Sequence, residues 1–494
     1  MRTILAPCLT LLAAPLFAAP VVPAAALAGH DLSPLGKVRP RAASEIASST
    51  WSIGGETLDR DFAVYDHYKP FLGPLGAKAI RLQAGWAKCE RSPGVYTFEW
   101  LDAVIDDARA QGVQPWVEFN YGNPIYPGGG DTGLGGGFPS SPEALAAWDR
   151  WVAAVVERYR DRVHQWEVWN EPDINRAGTA GVEAYVDLFV RTATIVRARQ
   201  PQSQIWALGL AGDIDYADRF LAGLKEKGRL DLVDAVTIHG YPRNPDDTNN
   251  IDRLRAVIAK YSDKIHVRQG ETGSNSKYQE GFALSRISWT ENLQAKWNLR
   301  RMLAHRALEV PFNLFTLCDL HYTQATVNLR AADGTVRPEG SHGELRVNHK
   351  GLLGTNPDMT ISHVKPSYTA AQSVFALFDD RVSLRKDFPF STTALRAVAL
   401  AGYALPDGAQ MVAYWFKDAP PSEGNEVTKA RLVLPQARFE EPVLVDLRTS
   451  TVYALPKSGW TQDAAGATFH HLPFYDSPLL IAERRAVPLA PAAR

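Results

Sequence analysis

Between Trp51 and Asp379 the chain alternates short apolar runs with amphipathic stretches eight times over, and nothing else in the sequence constrains the fold as strongly. The runs that read as strands are 51–55, 79–84, 114–119, 165–169, 204–210, 235–239, 265–270 and 312–317. The helical stretches that follow them are 61–75, 101–111, 142–159, 181–199, 217–227, 251–261, 292–309 and 367–378. Gly76 and Gly112 each stand between a helical stretch and the next strand, where a glycine can close a helix in the left-handed conformation. Repeated strand–helix units make parallel strands with right-handed crossovers. Eight of them suit an α/β fold of the closed (β/α)8 TIM-barrel type, over residues 51–380. An open doubly wound sheet would carry a glycine-rich phosphate turn after its first strand, and none is present there.

Past Arg381 the texture changes. Segments 393–401, 410–416, 429–434, 442–446, 451–455 and 478–481 are short and rich in β-formers, with turn residues such as Pro406-Asp407-Gly408 between them. Residues 381–485 are expected to form a C-terminal antiparallel β-sandwich. It follows the last helix with no flexible linker, so its expected role is to support the barrel. Residues 29–50 are expected to be an N-terminal extension, and the Ala/Pro-rich 486–494 a disordered tail.

Met1-Arg2 and the apolar stretch to Ala18 read as a secretory signal peptide within residues 1–28, cleaved near Ala19 or after Ala28. The expected location is secreted or periplasmic. Pro7, Pro15 and Pro20 break the apolar run, and no later stretch is long enough to span a bilayer. With 53 basic and 54 acidic residues the formal charge is −1, which favours neither nucleic acid nor an anionic membrane as partner. Oligomeric state has no signature in the sequence. Removal of the leader takes Cys8 and leaves Cys89 and Cys318, which either pair or stay as buried thiols.

Barrels place their chemistry at the C-terminal ends of the strands. The fourth strand ends in Glu167-Val168-Trp169-Asn170-Glu171-Pro172-Asp173. Alternation puts Glu167, Trp169 and Glu171 on one side. Pro172 has no amide hydrogen for a ladder, so the strand ends there and Glu171 stands at the mouth. Alone, such a glutamate is more often a solvated loop group. The seventh strand, however, ends in Gly270-Glu271-Thr272-Gly273. In a closed barrel both strands open on one mouth, and two carboxylates from different walls can flank a single bond. Glycosidic cleavage needs that arrangement: one acid for the leaving oxygen and one carboxylate on the other face.

Asn170-Glu171-Pro172 after a fourth strand, with Glu271 after a seventh, resembles clan A of the glycoside hydrolases. The layout is similar to family 39, which includes β-xylosidases and α-L-iduronidases. The resemblance runs on through Lys365-Pro366-Ser367-Tyr368 at the last helix and into the sandwich. It implies a retaining O-glycosyl hydrolase of poly- or oligosaccharides, with Glu171 as acid/base and Glu271 as nucleophile about 5–5.5 Å apart. It also implies that Asn170 hydrogen-bonds the sugar 2-hydroxyl. No cofactor and no metal is required.

Other strand ends supply a shell. Arg81 is placed to hold Glu271 ionised, or to serve as a structural ion pair. His239-Gly240-Tyr241 resembles a His-x-Tyr feature of the clan, with Tyr241 donating to Glu271. Asn120 or Tyr121, after Glu118 on the third strand, is expected to touch substrate. Trp86, Trp116 and Trp169 are candidate stacking platforms or core residues. The glycine triplets at 128–130 and 135–137 lack the Lys-Ser/Thr of a phosphate loop and read as a mobile loop over the mouth. His321, His342, His349 and His363 match no metal-ligand spacing. Two rivals stay open: a non-catalytic carbohydrate-binding barrel, and a transglycosidase using the same residues.

Overall fold

The computed structural model describes residues 26–27, 30–174, 181–322 and 346–491. All of the expected leader except Ala26 and Leu27 lies outside the described residues. Leu27 is buried among sandwich side chains. Cleavage near Ala19 would retain it, and cleavage after Ala28 would remove it. Among the described residues no helix is long and apolar enough to cross a membrane.

A first strand, β1 (Ser33–Lys37), precedes the barrel. The barrel strands are β2 (Trp51–Gly54), β3 (Ala79–Gln83), β4 (Gln114–Phe119), β5 (Gln165–Val168), β6 (Gln204–Leu210), β7 (Ala235–His239), β8 (His266–Thr272) and β9 (Phe312–Leu314). They pair in parallel and in sequence order, and β9 closes on β2. The helices are α1 (Tyr65–Leu75), the single turn α2 (Trp86–Cys89), α3 (Glu99–Ala110), α4 (Pro142–Tyr159) and α5 (Val182–Arg199). They continue with α6 (Ile214–Glu226), α7 (Asn249–Ile258), α8 (Glu291–Ala307) and α9 (Pro366–Leu377). The closed barrel expected from the alternation is therefore the fold.

Local chemistry accounts for the boundaries. Gly76 and Gly112 sit at φ 91° and 82° and end their helices as the left-handed reading requires. Ser141 caps α4 by accepting from the Ala144 amide at 3.1 Å, which stabilises the helix by about 1 kcal/mol. Strand β8 runs two residues past the expected end, because a register shift against β7 lets His239 pair with Glu271. After β9 the long connection folds into two hairpins, β10 (Leu320–Tyr322) with β11 (Arg346–Asn348) and β12 (Leu353–Thr355) with β13 (Ile361–Val364).

The C-terminal strands are β14 (Ser383–Arg385), β15 (Ser391–Thr392), β16 (Val398–Ala404), β17 (Gln410–Phe416) and β18 (Thr428–Leu434). They continue with β19 (Pro442–Asp446), β20 (Thr451–Ala454), β21 (Trp460–Asp463), β22 (Gly466–Phe474) and β23 (Leu479–Glu483). One sheet has the order β1-β20-β19-β23-β17-β16-β14, and the other has the order β15-β18-β22-β21. On β17, Met411, Ala413 and Trp415 join the barrel core, while Val412, Tyr414 and Phe416 face the second sheet. The central strands β17, β19 and β23 of the larger sheet are thus buried on both faces, which explains their unbroken apolar runs. Burying a side chain such as Phe416 this way stabilises by roughly 1.5–3 kcal/mol.

Two expectations for the chain ends are corrected. The 29–50 extension contributes β1, an edge strand of the sandwich, paired to β20. The supposed disordered tail is ordered through residue 491: Ala490 donates to the Lys37 carbonyl at 2.8 Å, and Arg39 to that of Pro488 at 2.8 Å. Extended backbone at each end satisfies the other's polar groups, a pairing that local composition does not report. The glycines of 128–137 also have a packing reason. A Cβ on Gly129 would lie 2.0 Å from the Asn123 carbonyl oxygen, and one on Gly130 would lie 2.1 Å from that of Gly137. Cys89 and Cys318 are buried free thiols.

Candidate active site

The mouth is organised around Arg81 on β3, whose side chain is wholly buried. Its Nε donates to Glu167 at 2.8 Å, and Nη1 donates to Glu56 and Glu271, each at 3.2 Å. Nη2 donates to Asn170 Oδ1 at 3.0 Å and to Glu118. One guanidinium therefore gathers carboxylates from β5, β4, β8 and the turn after β2. Burial opposes its charge, but Glu118, Glu167, Glu56 and Glu271 together hold it protonated far above its usual range. Its bond to Asn170 fixes that amide's orientation.

Glu171 does not sit on a continuing strand. The chain leaves β5 at Val168, and Trp169 and Glu171 take φ of 66° and 52°. Such left-handed turns at non-glycine residues are costly and persist only where the surroundings enforce them. Here the enforcement comes from β6, where Leu208 and Gly209 also have positive φ. Their carbonyls accept from the Glu171 amide at 3.2 and 3.0 Å. Tyr185 of α5 clasps both strands: its hydroxyl donates to the Val168 carbonyl at 2.6 Å and accepts from the Leu208 amide at 2.8 Å. Alternation consequently fails after Val168. Glu167 lies inside on Arg81, and Trp169 turns into the core against Phe138, 4.7 Å between centroids.

Glu171 is 9% exposed. Burial pushes its carboxyl up to about 8; the nearby Asp173 carboxylate adds to this and Arg81 opposes it. Asp173 itself is held by three backbone amides, from Ala211 at 2.9 Å and from Gly212 and Asp213 at 3.1 Å. Nδ1 of His239 lies 2.8 Å from Glu171 Oε1 and 3.7 Å from Glu271 Oε2. Burial lowers His239 first of all, against the raising effect of Glu271, so the ring is held toward its neutral form. On the other wall, Glu271 accepts from Arg81 at Oε2 and from the Tyr241 hydroxyl at Oε1.

Oxygens of Glu171 and Glu271 and a ring nitrogen of His239 all fall within 4.8 Å of one another. That spacing is short enough for a cation site. The donors, however, are committed to hydrogen bonds, and Arg81 already supplies the positive charge. Two facing carboxyl groups, one buried as an acid and one supported by two donors, can protonate one side of a bond and attack from the other.

The structure gathers Glu171, Glu271, Asn170, Arg81, His239 and Tyr241 at this mouth. It does not bring Trp86 there. Trp86 is fully buried, 5.7 Å from Tyr126 and 5.9 Å from Trp151, with its indole nitrogen on Glu90 at 2.6 Å. Trp116 packs on Trp206 at 4.7 Å, and both belong to the interior. None of the three tryptophans is a platform, because each ring is consumed by core packing. Asn120 is buried and accepts from the Gly85 amide at 3.3 Å, so it braces a turn. Tyr121 is buried under Arg60, whose guanidinium lies 4.9 Å from the ring centre. Residues that sequence reasoning missed include Glu56 and Lys350. Glu56 follows directly after the first barrel strand, a position that could have flagged it. Lys350 is buried with its nitrogen 5.4 Å from the Tyr241 ring centre, and burial lowers it to about 7. It lies in the irregular connection after β11, where no periodicity marks it.

Comparison with known proteins bears on this geometry. The model of glycosyl hydrolases family 39 matches residues 87–269. A β-xylosidase of Geobacillus stearothermophilus is 29% identical over 156 residues, which is 30% of this chain and 31% of the relative. The match thus spans about a third of that relative's length. A family 39 glycoside hydrolase from Bacteroides cellulosilyticus WH2 superposes with a TM-score of 0.63 at 18% identity, covering 90% of this chain and 83% of that one. A monomeric β-xylosidase from Caulobacter crescentus CB15 gives a TM-score of 0.55 at 16% identity, covering 93% and 98%. At such identities the two structures establish a shared fold. In sequence over residues 87–269 this protein is similar to glycosyl hydrolases family 39, and over 90% of the chain its fold is similar to that of a family 39 glycoside hydrolase.

Proposed function

We propose that the chain is a retaining glycoside hydrolase that cleaves O-glycosidic bonds of poly- or oligosaccharides by double displacement. The observation that carries this reading is the approach of Glu171 and Glu271 to within 4.8 Å from β5 and β8, in opposite electrostatic surroundings. Retaining enzymes hold their carboxyl groups about 5–5.5 Å apart, whereas inverting ones need roughly 6.5–9.5 Å for an intervening water. Glu171, kept protonated by burial, gives its proton to the leaving oxygen. Glu271, supported by Arg81 and Tyr241, attacks the anomeric carbon and forms a glycosyl ester. Once Glu271 is esterified its charge is gone, and Glu171 as carboxylate takes a proton from the incoming water. Asn170, oriented by Arg81, faces the sugar 2-hydroxyl.

The test is to follow product stereochemistry by NMR on an aryl glycoside that the protein cleaves. Release of the same anomer first supports double displacement, and release of the opposite anomer overturns it. Trapping with a 2-deoxy-2-fluoro glycoside should place the added mass on the peptide that contains Glu271. We further propose that the leader directs the chain out of the cytoplasm. Cell fractionation of the full-length chain tests this, and retention in the cytoplasm would contradict it.

A further inference from the structure

Beside the mouth lies a second cavity, of about 490 Å³, between the end of β7 and the start of α7. Its wall includes His239, Gly240 and Tyr241, so it adjoins the strand end that serves both carboxylates. Arg301 of α8 also lines it and is only 3% exposed. Its Nη1 donates to the carbonyls of Pro245 at 3.2 Å and Asp247 at 2.5 Å. Its Nε has no hydrogen-bond partner; the Asp247 and Asp246 carboxylates favour its charge from nearby, but neither forms an ion pair with it among the described residues.

Buried cations are normally matched by carboxylates. Elsewhere in this protein Lys296 meets Asp476 at 2.7 Å and Lys365 meets Asp319 at 2.6 Å, whereas Lys350 is buried on the Ala283 carbonyl at 2.8 Å. Arg301 instead faces a space. Gly240 keeps that space open, since a Cβ there would lie 3.0 Å from Arg301 Nη2. At the rim, Arg253 is exposed and adds positive charge, and Thr248 gives α7 no side-chain cap. The one lining carboxylate, Asp247, accepts from the Asn249 amide at 3.1 Å.

We propose that this cavity is an anion subsite that receives an oxyanion substituent of the glycan (a carboxylate, sulfate or phosphate ester) on the Arg301 guanidinium. The identity of the anion's carrier rests on the glycoside hydrolase reading, whereas the binding of an anion does not. A guanidinium presents parallel N–H donors that match such oxygens. The substrate class that follows is an acidic polysaccharide whose charged group enters the cavity beside His239 and Tyr241.

The experiment uses the full chain. Sulfate, phosphate and acetate are titrated calorimetrically against chloride at constant ionic strength. The parent should bind at least one of the three saturably. Arg253→Glu and Asn250→Asp, both exposed rim substitutions, should weaken that binding about tenfold, as a like charge does at close range. Arg301→Met should abolish it, and if that variant does not fold the rim variants decide. In the second arm, Arg253→Glu should raise KM for an acidic oligosaccharide about tenfold and leave kcat and KM for a neutral aryl glycoside unchanged. Absence of saturable binding in the parent overturns the site. Ion binding with unchanged selectivity overturns the glycan assignment and leaves a site for inorganic ions. If the chain cleaves no glycoside, the proposed function fails, and the titration still decides the cavity.

Discussion

Nδ1 of His239 lies 2.8 Å from Glu171, and the same residue is the register partner of Glu271 across β7 and β8. One imidazole, kept toward its neutral form by burial, thus spans the two walls of the mouth. A neutral ring can hydrogen-bond Glu171 without adding a charge that would make it a stronger acid.

The pH profile should show this directly. Glu171 is pushed up to about 8, chiefly by burial, and on the proposed mechanism must be protonated to act as acid. Activity should therefore fall as pH rises through about 8. Glu171→Gln should lower kcat by about 10²–10⁴-fold and remove that alkaline limb. Initial rates from pH 4 to pH 10 check it, and an unchanged limb in the variant would assign the titration elsewhere.

Glu271→Ala should be the most damaging single change, with kcat reduced by more than about 10⁴-fold, since on the proposed mechanism it removes the attacking group. Tyr241→Phe deletes one donor to Glu271 and should cost about 10²-fold in kcat with little change in melting temperature. Steady-state kinetics on an aryl glycoside measure both. A Tyr241→Phe variant as fast as the parent would strip that hydroxyl of a role.

Glu56 makes a separate prediction about stability. Burial pushes it up to about 8, with Glu271 adding to the shift and Arg81 opposing it, and its Oε2 is unpartnered. A carboxyl whose folded pKa is raised takes up a proton on folding. Its stabilising contribution is whole below the unfolded value of about 4.3, and it is lost as pH rises through about 8. The melting temperature should therefore decline across this interval, and Glu56→Gln should flatten the decline without abolishing it, because Glu171 contributes in the same sense. Thermal denaturation at several pH values decides, and identical slopes would contradict the assignment.

The barrel and sandwich are joined by a buried polar strut. Asp246 accepts from Trp415 Nε1 at 2.7 Å on the sandwich side and from Arg300 Nε at 2.8 Å on the barrel side. Asp246→Asn leaves Arg300 buried without its counterion and should destabilise by about 3–5 kcal/mol. Urea unfolding measures it, and a loss below about 1 kcal/mol would show that the strut carries little.

The eight barrel strands were legible because each is a local apolar run, and the helices because their buried faces recur at helical spacing. Glu171 and Glu271 were legible because strand ends are special in a barrel whatever the motif. What escaped was assembled across the chain. Arg81 draws Glu56, Glu118, Glu167 and Glu271 from four separate places, and no window of sequence contains that hub. Trp86 was expected at the sugar and lies in the core instead, because an aromatic near a strand end looks alike in sequence whether it faces sugar or core; for Trp116 and Trp169 core was the favoured reading. Trp86, Trp116 and Trp169 all face the core. Alternation failed at Trp169 because a bulged neighbouring strand, not the local residues, dictates its backbone.

The pairing of β1 with β20 has a consequence for the order of events during synthesis. Ser33–Lys37 leaves the ribosome long before its partner Thr451–Ala454 exists, with the whole barrel encoded in between. The nascent chain must carry an unpaired edge until the barrel has emerged and drawn both ends together. Topologically the barrel is an insertion within the sandwich rather than a unit that precedes it.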